Sequence, residues 1–277
     1  MMKAKNVLNS FKKMDFILLF SVLALSFEKP SYGGILSWVL IFFLAVGHKD
    51  AVAAFIGNFL YRRKNFDKAI KWYKYAAKVR NTNITNIKNY IFLELKFGSI
   101  EKAQKTLKEI EENSIFTKED LIEIKLSEAT IYWKNNDING AVRLLKPLMS
   151  NSNSSALYAN LGYYMNYSNE LDEALTFNSN AFKIYTNDMF IKFNLAQSYY
   201  LKGDYHSSLV LLDELIGLGA RFPEPYFVKA MILKSQGFKD EAMSLFYKAY
   251  KIPSALMSYI TKERISEELE AVNLDFK

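Results

Sequence analysis

His206, Ser207 and Ser208, with Asp204 two residues upstream, are the nearest thing in this chain to a nucleophilic set. Base, hydroxyl and carboxylate are the parts of a serine triad. They fall, however, in a turn and the first residues of a predicted helix, so no catalysis is expected of them. Gly217-Leu218-Gly219 hints at a phosphate loop but lacks the rest of the pattern and the preceding strand. With no cysteine and only two histidines, thiol catalysis, disulfide frameworks, thiolate zinc sites and histidine-rich metal clusters are excluded. The chain is expected to be no enzyme and to carry no cofactor.

Charge is the stronger chemical signal. The net +7 is uneven: residues 1–83 sum to +10, and the remaining 194 residues to −3. Arg62, Arg63, Lys64, Lys68 and Lys71 lie in the most basic stretch, where eight cations accompany only Asp67 over residues 51–83. An anionic partner is implied. No nucleic-acid recognition motif is visible, and the cations follow directly on an apolar region, so anionic lipid is the expected partner and nucleic acid is not.

That apolar region holds two runs, Phe16–Phe27 and Ile35–Val46, separated by EKPSYGG. Each run has twelve residues, against the ~20 of a full bilayer span. Extension to about 17 requires Lys12 and Lys13 to snorkel. Lys3, Lys5, Lys12 and Lys13 precede the first run and Lys49, Arg62, Arg63 and Lys64 follow the second. By the positive-inside rule both ends face the cytoplasm. Residues 1–49 are therefore expected to form a basic segment and a two-helix membrane hairpin, placing the chain at a membrane with the rest on the cytoplasmic side. A cleaved signal peptide, an interfacial hairpin or two ordinary core helices are the rivals.

The elements that position everything else come from an internal period. Small residues open apolar helical stretches at Ala69, Ala103, Ala141, Ala174, Ser208 and Ala242, in steps of 34, 38, 33, 34 and 34. The long step is absorbed by the polar stretch Glu111–Asp120. A second column of small residues, Gly57, Ala129, Gly162, Ala196 and Ala230, departs only at Ile91. Turns read Gly98-Ser99, Asn136-Asp137, Asn169-Glu170, Gly203-Asp204 and Gly237-Phe238. Small residues allow two helices to cross closely while bulky ones fill the flanks. Over about three quarters of its length the sequence resembles the tetratricopeptide repeat (TPR) family. The units Asp50–Asn83, Ser155–Asp188, Met189–Phe222 and Pro223–Leu256 match best; Ile84–Thr117 is degenerate.

The expected fold is all-α: about six helix-turn-helix repeats over residues 50–256, preceded by the two short hydrophobic helices and closed by a capping helix and tail over 257–277. Ser254–Leu274 reads as one amphipathic helix. The resemblance implies a concave groove that binds a peptide or partner protein. Carried over residue by residue, it would be lined by Asn89, Phe92, Trp133, Asn160, Tyr163, Tyr167, Phe193, Asn194, Tyr200 and Phe227. Asn89, Asn160 and Asn194 share the sixth place of their helices, where some members of the family hold a peptide backbone. The chaperone-tail clamp fails because Lys88 is followed by Phe92. The sequence thus points to a membrane-anchored scaffold or adaptor; the alternatives are a peptide-responsive regulatory receptor and a lipid-handling accessory subunit.

Overall fold

A computed structural model describes residues 47–168 and 170–274, and the described residues contain thirteen α-helices and one 3-10 turn. The two apolar runs lie outside the described residues. Among those described, no helix is long and apolar enough to cross a membrane. The chain divides into two compact units, residues 1–90 and 91–277, the division falling inside one helix.

In the first unit, α1 (Lys49–Arg62) pairs with α2 (Phe66–Lys78), and α3 (Ile84–Phe97) begins. The α1–α2 crossing is tight because Gly57 lies under the Tyr73 ring: a Cβ there would stand 2.8 Å from the ring. Asp50 ties the start of α1 to that of α3, accepting from the Thr82 hydroxyl at 3.2 Å and from Asn86 Nδ2 at 3.5 Å.

The second unit continues with α4 (Ile100–Asn113), α5 (Lys118–Lys134), α6 (Ile138–Leu145) and the 3-10 turn Lys146–Asn151. Then come α7 (Ser155–Asn166), α8 (Leu171–Ile184), α9 (Met189–Leu201), α10 (Tyr205–Gly217), α11 (Glu224–Ser235), α12 (Lys239–Lys251) and α13 (Lys262–Leu274). One buried apolar core joins α5 to α8 and another joins α9 to α13.

The repeat reading holds at its key positions. Ala69, Ala103, Ala141, Ala174, Ser208 and Ala242 are all fully buried, each three residues after the start of the second helix of its pair. The turns between paired helices share a device: the residue two before the second helix is left-handed at Lys64, Asn136, Gly203 and Gly237 (φ 59°, 60°, 80° and 87°). That conformation favours glycine and tolerates asparagine. The four extra residues of the long step are taken up by the Ser114–Thr117 connection and a seventeen-residue α5.

One boundary differs from expectation. The terminal helix covers only Lys262–Leu274, and Ile252–Thr261 is not helical. Pro253 forces Ile252 to extended backbone (ψ 133°) and cannot supply a helical N–H. The periodic pattern across Ser254–Thr261 is overridden by contacts elsewhere in the unit.

Candidate functional site

Trp133, near the end of α5, gathers the aromatic residues at the C-terminal end of α7. Its ring centroid is 5.3 Å from Tyr163, 5.6 Å from Tyr164 and 5.4 Å from Tyr167. Tyr163 and Tyr167 are four apart, so one helical face presents both. The non-helical segment after α12 lies against this surface. Tyr163 Oη donates to the Met257 carbonyl at 2.9 Å and accepts the Tyr259 N–H at 2.9 Å. Tyr164 Oη donates to Met257 Sδ at 2.9 Å, and the Thr130 hydroxyl approaches the same sulfur at 3.4 Å. The Tyr259 ring sits 5.0 Å from Tyr167 and 6.3 Å from Trp133.

Two charged groups border the surface. Glu224, 5% exposed at the first turn of α11, accepts the Ser258 hydroxyl on Oε1, while its Oε2 has no partner. Burial raises its pKa, against the opposing Ser258 and backbone hydrogen bonds. Arg264, on α13, lies 4.7 Å over the Tyr259 ring and 5.3 Å over Phe227. Burial also pushes the phenols of Tyr163, Tyr164 and Tyr167 well above the ordinary tyrosine value, so all three are neutral donors at physiological pH.

Of the ten residues assigned to the groove, Trp133, Tyr163 and Tyr167 come together in this way. Phe92 is separate, its ring exposed beneath the Lys96 ammonium at 5.4 Å. Tyr200 is half-buried beside Tyr205. Asn89 bonds to Tyr73 in the first unit. Phe193 and Phe227 correct the expectation: both are buried in the core of α9–α13, closed over by Phe222 and by Arg264 respectively. The asparagine column fails as a backbone ladder. Asn160 Nδ2 donates to Ala156 O of its own helix at 2.8 Å. Asn194, 2% exposed, donates to the Ala159 carbonyl of the preceding repeat at 2.7 Å.

Asn194 belongs to a buried polar knot. Asn178 Nδ2 reaches Ser198 Oγ at 2.9 Å, Asn166 Oδ1 at 3.1 Å and Gly162 O at 3.3 Å. Asn166 Nδ2 donates to Asn194 O at 2.8 Å. These amides bind helices α7, α8 and α9 together and are not free for a ligand. The apparent triad is likewise spent on structure: the Asp204 carboxylate accepts the Ser207 N–H at 3.0 Å, capping α10, and the buried Ser208 hydroxyl donates to Ala196 O at 2.9 Å. No group of His, Cys, Asp or Glu among the described residues could hold a metal ion.

Sequence reasoning missed Tyr164, Glu224, Met257 and Tyr259. Pro253 was the available signal, since it marks where helix must stop.

The first unit carries a different surface. Lys49, Val52, Ala53, Lys71, Trp72 and Tyr75 line an open cleft of about 480 Å³. Phe55 (73% exposed) and Phe59 extend the apolar area, and the Arg63 guanidinium covers the Phe59 ring at 4.5 Å. Arg62, Arg63, Lys64, Lys68 and Lys71 are all exposed.

No family model matches the sequence, and no curated protein matches it either. Solved structures do. A tetratricopeptide repeat protein from Parabacteroides merdae superposes with a TM-score of 0.66 at 17% identity, covering 92% of this chain and 99% of that one. PilW, a type IV pilus biogenesis factor, gives 0.59 at 12% identity over 82% of this chain and 99% of its own. A chain of the Cut9–Hcn1 hetero-tetramer of the APC/C gives 0.60 at 12% identity over 85% of this chain and 45% of its own. At these identities the likeness is one of architecture. The fold is that of the tetratricopeptide repeat proteins, all-helical among the described residues.

Proposed function

We propose that the chain is a membrane-anchored scaffold whose repeat array faces the cytoplasm and recruits a protein or peptide partner, performing no chemistry of its own. The observation that carries recruitment is the Trp133–Tyr163–Tyr167 surface, which holds a non-helical turn of the chain through its backbone as well as its side chains. Rigid aromatic residues offer large contact area at low entropic cost, the chemistry of binding hot spots. One solved protein of similar fold comes from a hetero-tetramer, the Cut9–Hcn1 assembly of the APC/C. From membranes solubilised in mild detergent, the full chain should co-purify with a partner in near-stoichiometric amount. Trp133→Ala should reduce that yield at least fivefold while far-UV circular dichroism stays unchanged. Recovery of the chain without any partner, or with extractable lipid in its place, would refute recruitment.

The membrane half of the reading rests on the apolar runs Phe16–Phe27 and Ile35–Val46 and on the first unit's surface. Exposed Trp and Tyr beside lysines are side chains suited to the headgroup region. Each cation near an anionic leaflet contributes about 1 kcal/mol, screened by salt. A chain lacking residues 1–46 should therefore sediment with phosphatidylserine-containing vesicles at low salt, much less at 0.5 M salt, and little with neutral vesicles. Equal binding to neutral and anionic vesicles would remove the lipid contact of Arg62, Arg63, Lys64, Lys68 and Lys71.

A further inference from the structure

The connection from α12 to α13 runs from Ile252 to Thr261, longer than most links between packed helices. It does not take the short way. It reaches Tyr163, 94 to 96 residues upstream, and Thr130, 127 residues upstream. One phenol brackets the segment by giving its proton to the carbonyl of residue 257 and accepting the N–H of residue 259. The bracketed stretch is a turn, closed by the Ser258 N–H on the Ala255 carbonyl at 3.1 Å, and the pairing fixes its direction and register whatever its side chains. Specificity is added on either side: the thioether of Met257 sits against Tyr164 and Thr130, and the ring of Tyr259 packs on Tyr167. Thioether–hydroxyl and aromatic contacts of this kind suit methionine and an aromatic residue two positions later.

The middle position is less well served. Ser258 occupies Oε1 of Glu224 and leaves Oε2 buried and unpaired. A buried carboxylate oxygen without a donor is costly, and a cation at that position would supply one. Arg264 does not, since it lies over the Phe227 and Tyr259 rings. The resident segment therefore fits the site's backbone and its flanking pockets but underuses its charge.

We propose that the Trp133–Tyr163–Glu224 surface is a site for a turn-forming peptide of the pattern methionine, lysine or arginine, aromatic, and that Met257–Tyr259 is its resident occupant, displaced when such a partner arrives. This rests on the recruitment reading and names the ligand class of the same surface. Because the segment is tethered, it competes at a high effective concentration, and a partner's apparent affinity falls by the fraction of time the site is filled.

The test uses two synthetic peptides, the chain's own SALMSYIT and the same peptide with lysine in place of its second serine, each labelled with a fluorophore. Full-length protein in detergent is titrated as wild type and as Met257→Ala/Tyr259→Ala. The double variant should bind SALMSYIT at least tenfold more tightly than wild type, because its own segment no longer competes. The lysine peptide should bind the double variant at least tenfold more tightly than SALMSYIT, an advantage that Glu224→Gln removes. Hydrogen exchange of α13 amides, unchanged in the double variant, shows that the cap remains folded; Tyr163→Phe in that background should abolish binding of both peptides. Equal affinity of wild type and double variant for SALMSYIT would overturn the displacement, and equal affinity for the two peptides would overturn the cation preference. A partner that co-purifies while both peptides fail to bind leaves recruitment standing and refutes this site. Peptide binding without any co-purifying partner does the reverse.

Discussion

Asn178→Asp is expected to cost roughly 4–5 kcal/mol of stability at pH 7 and only about 2–3 kcal/mol at pH 5. Asn178 is fully buried, and its amide nitrogen faces three acceptors: Gly162 O, Asn166 Oδ1 and Ser198 Oγ. Aspartate puts an acceptor where those groups need a donor. The variant must either bury a carboxylate against other oxygens or bind a proton. Protonating a carboxyl of ordinary pKa near 3.9 at pH 7 costs about 4 kcal/mol, which caps the charge penalty; at pH 5 the cap is about 1.5 kcal/mol. A protonated carboxyl still supplies one donor where the amide supplied two, adding about 1 kcal/mol. The sign follows from linkage. The folded-state pKa of this aspartate is raised, so the charge penalty is absent below the unfolded pKa, grows as pH rises above it, and levels off past the folded pKa. Asn178→Leu, similar in size and uncharged, should lose about 2 kcal/mol at both pH values. Urea unfolding of wild type and both variants at the two pH values measures this. An Asn178→Asp loss that does not change with pH would mean that water reaches the knot.

The knot also explains what could and could not be read from the sequence. Ala69, Ala103, Ala141, Ala174, Ser208 and Ala242 were legible because a close helix crossing demands a small side chain, and the crossing recurs with the repeat. The left-handed turn was marked at Gly203 and Gly237 on a different ground, because a positive φ favours glycine. Columns, however, give direction and not depth. Asn89, Asn160 and Asn194 occupy equivalent places, yet one bonds to Tyr73, one to its own helix and one is buried against the preceding repeat. Phe193 and Phe227 share the fifth place and point toward a groove only until Phe222 and Arg264 close over them. The Met257–Tyr259 contacts were illegible on different grounds. Their partners lie nearly a hundred residues away, outside any period, and a stretch of alternating Leu, Met, Tyr and Ile carries a helical pattern that only Pro253 contradicts.

Gly162→Ala should destabilise the protein by about 2 kcal/mol, although glycine to alanine within a helix ordinarily gains about 1 kcal/mol. The added Cβ would overlap Asn178 Oδ1 and stand 3.1 Å from Asn194 Nδ2. Asn178 cannot swing aside, because its nitrogen is held from three sides and its side chain is wholly buried. Neighbouring repeats solve the same crossing differently. Sixteen residues after Ala129 comes Leu145, and sixteen after Ala196 comes Leu212, all four fully buried; sixteen after Gly162 comes Asn178. Alanine goes with leucine, and glycine with the asparagine that organises the knot. The double variant Gly162→Ala/Asn178→Leu rebuilds the neighbours' pairing and leaves Asn166 bonded to Ser198 Oγ at 2.6 Å and to Asn194 O at 2.8 Å. It should unfold within about 1 kcal/mol of wild type, where independent losses from the single variants would sum to about 4 kcal/mol. The coupling of about 3 kcal/mol is read from a double-mutant cycle in urea. Additivity within about 0.5 kcal/mol would show that the glycine and the amide do not specify one another, and that the knot tolerates a methyl group where its geometry leaves no room for one.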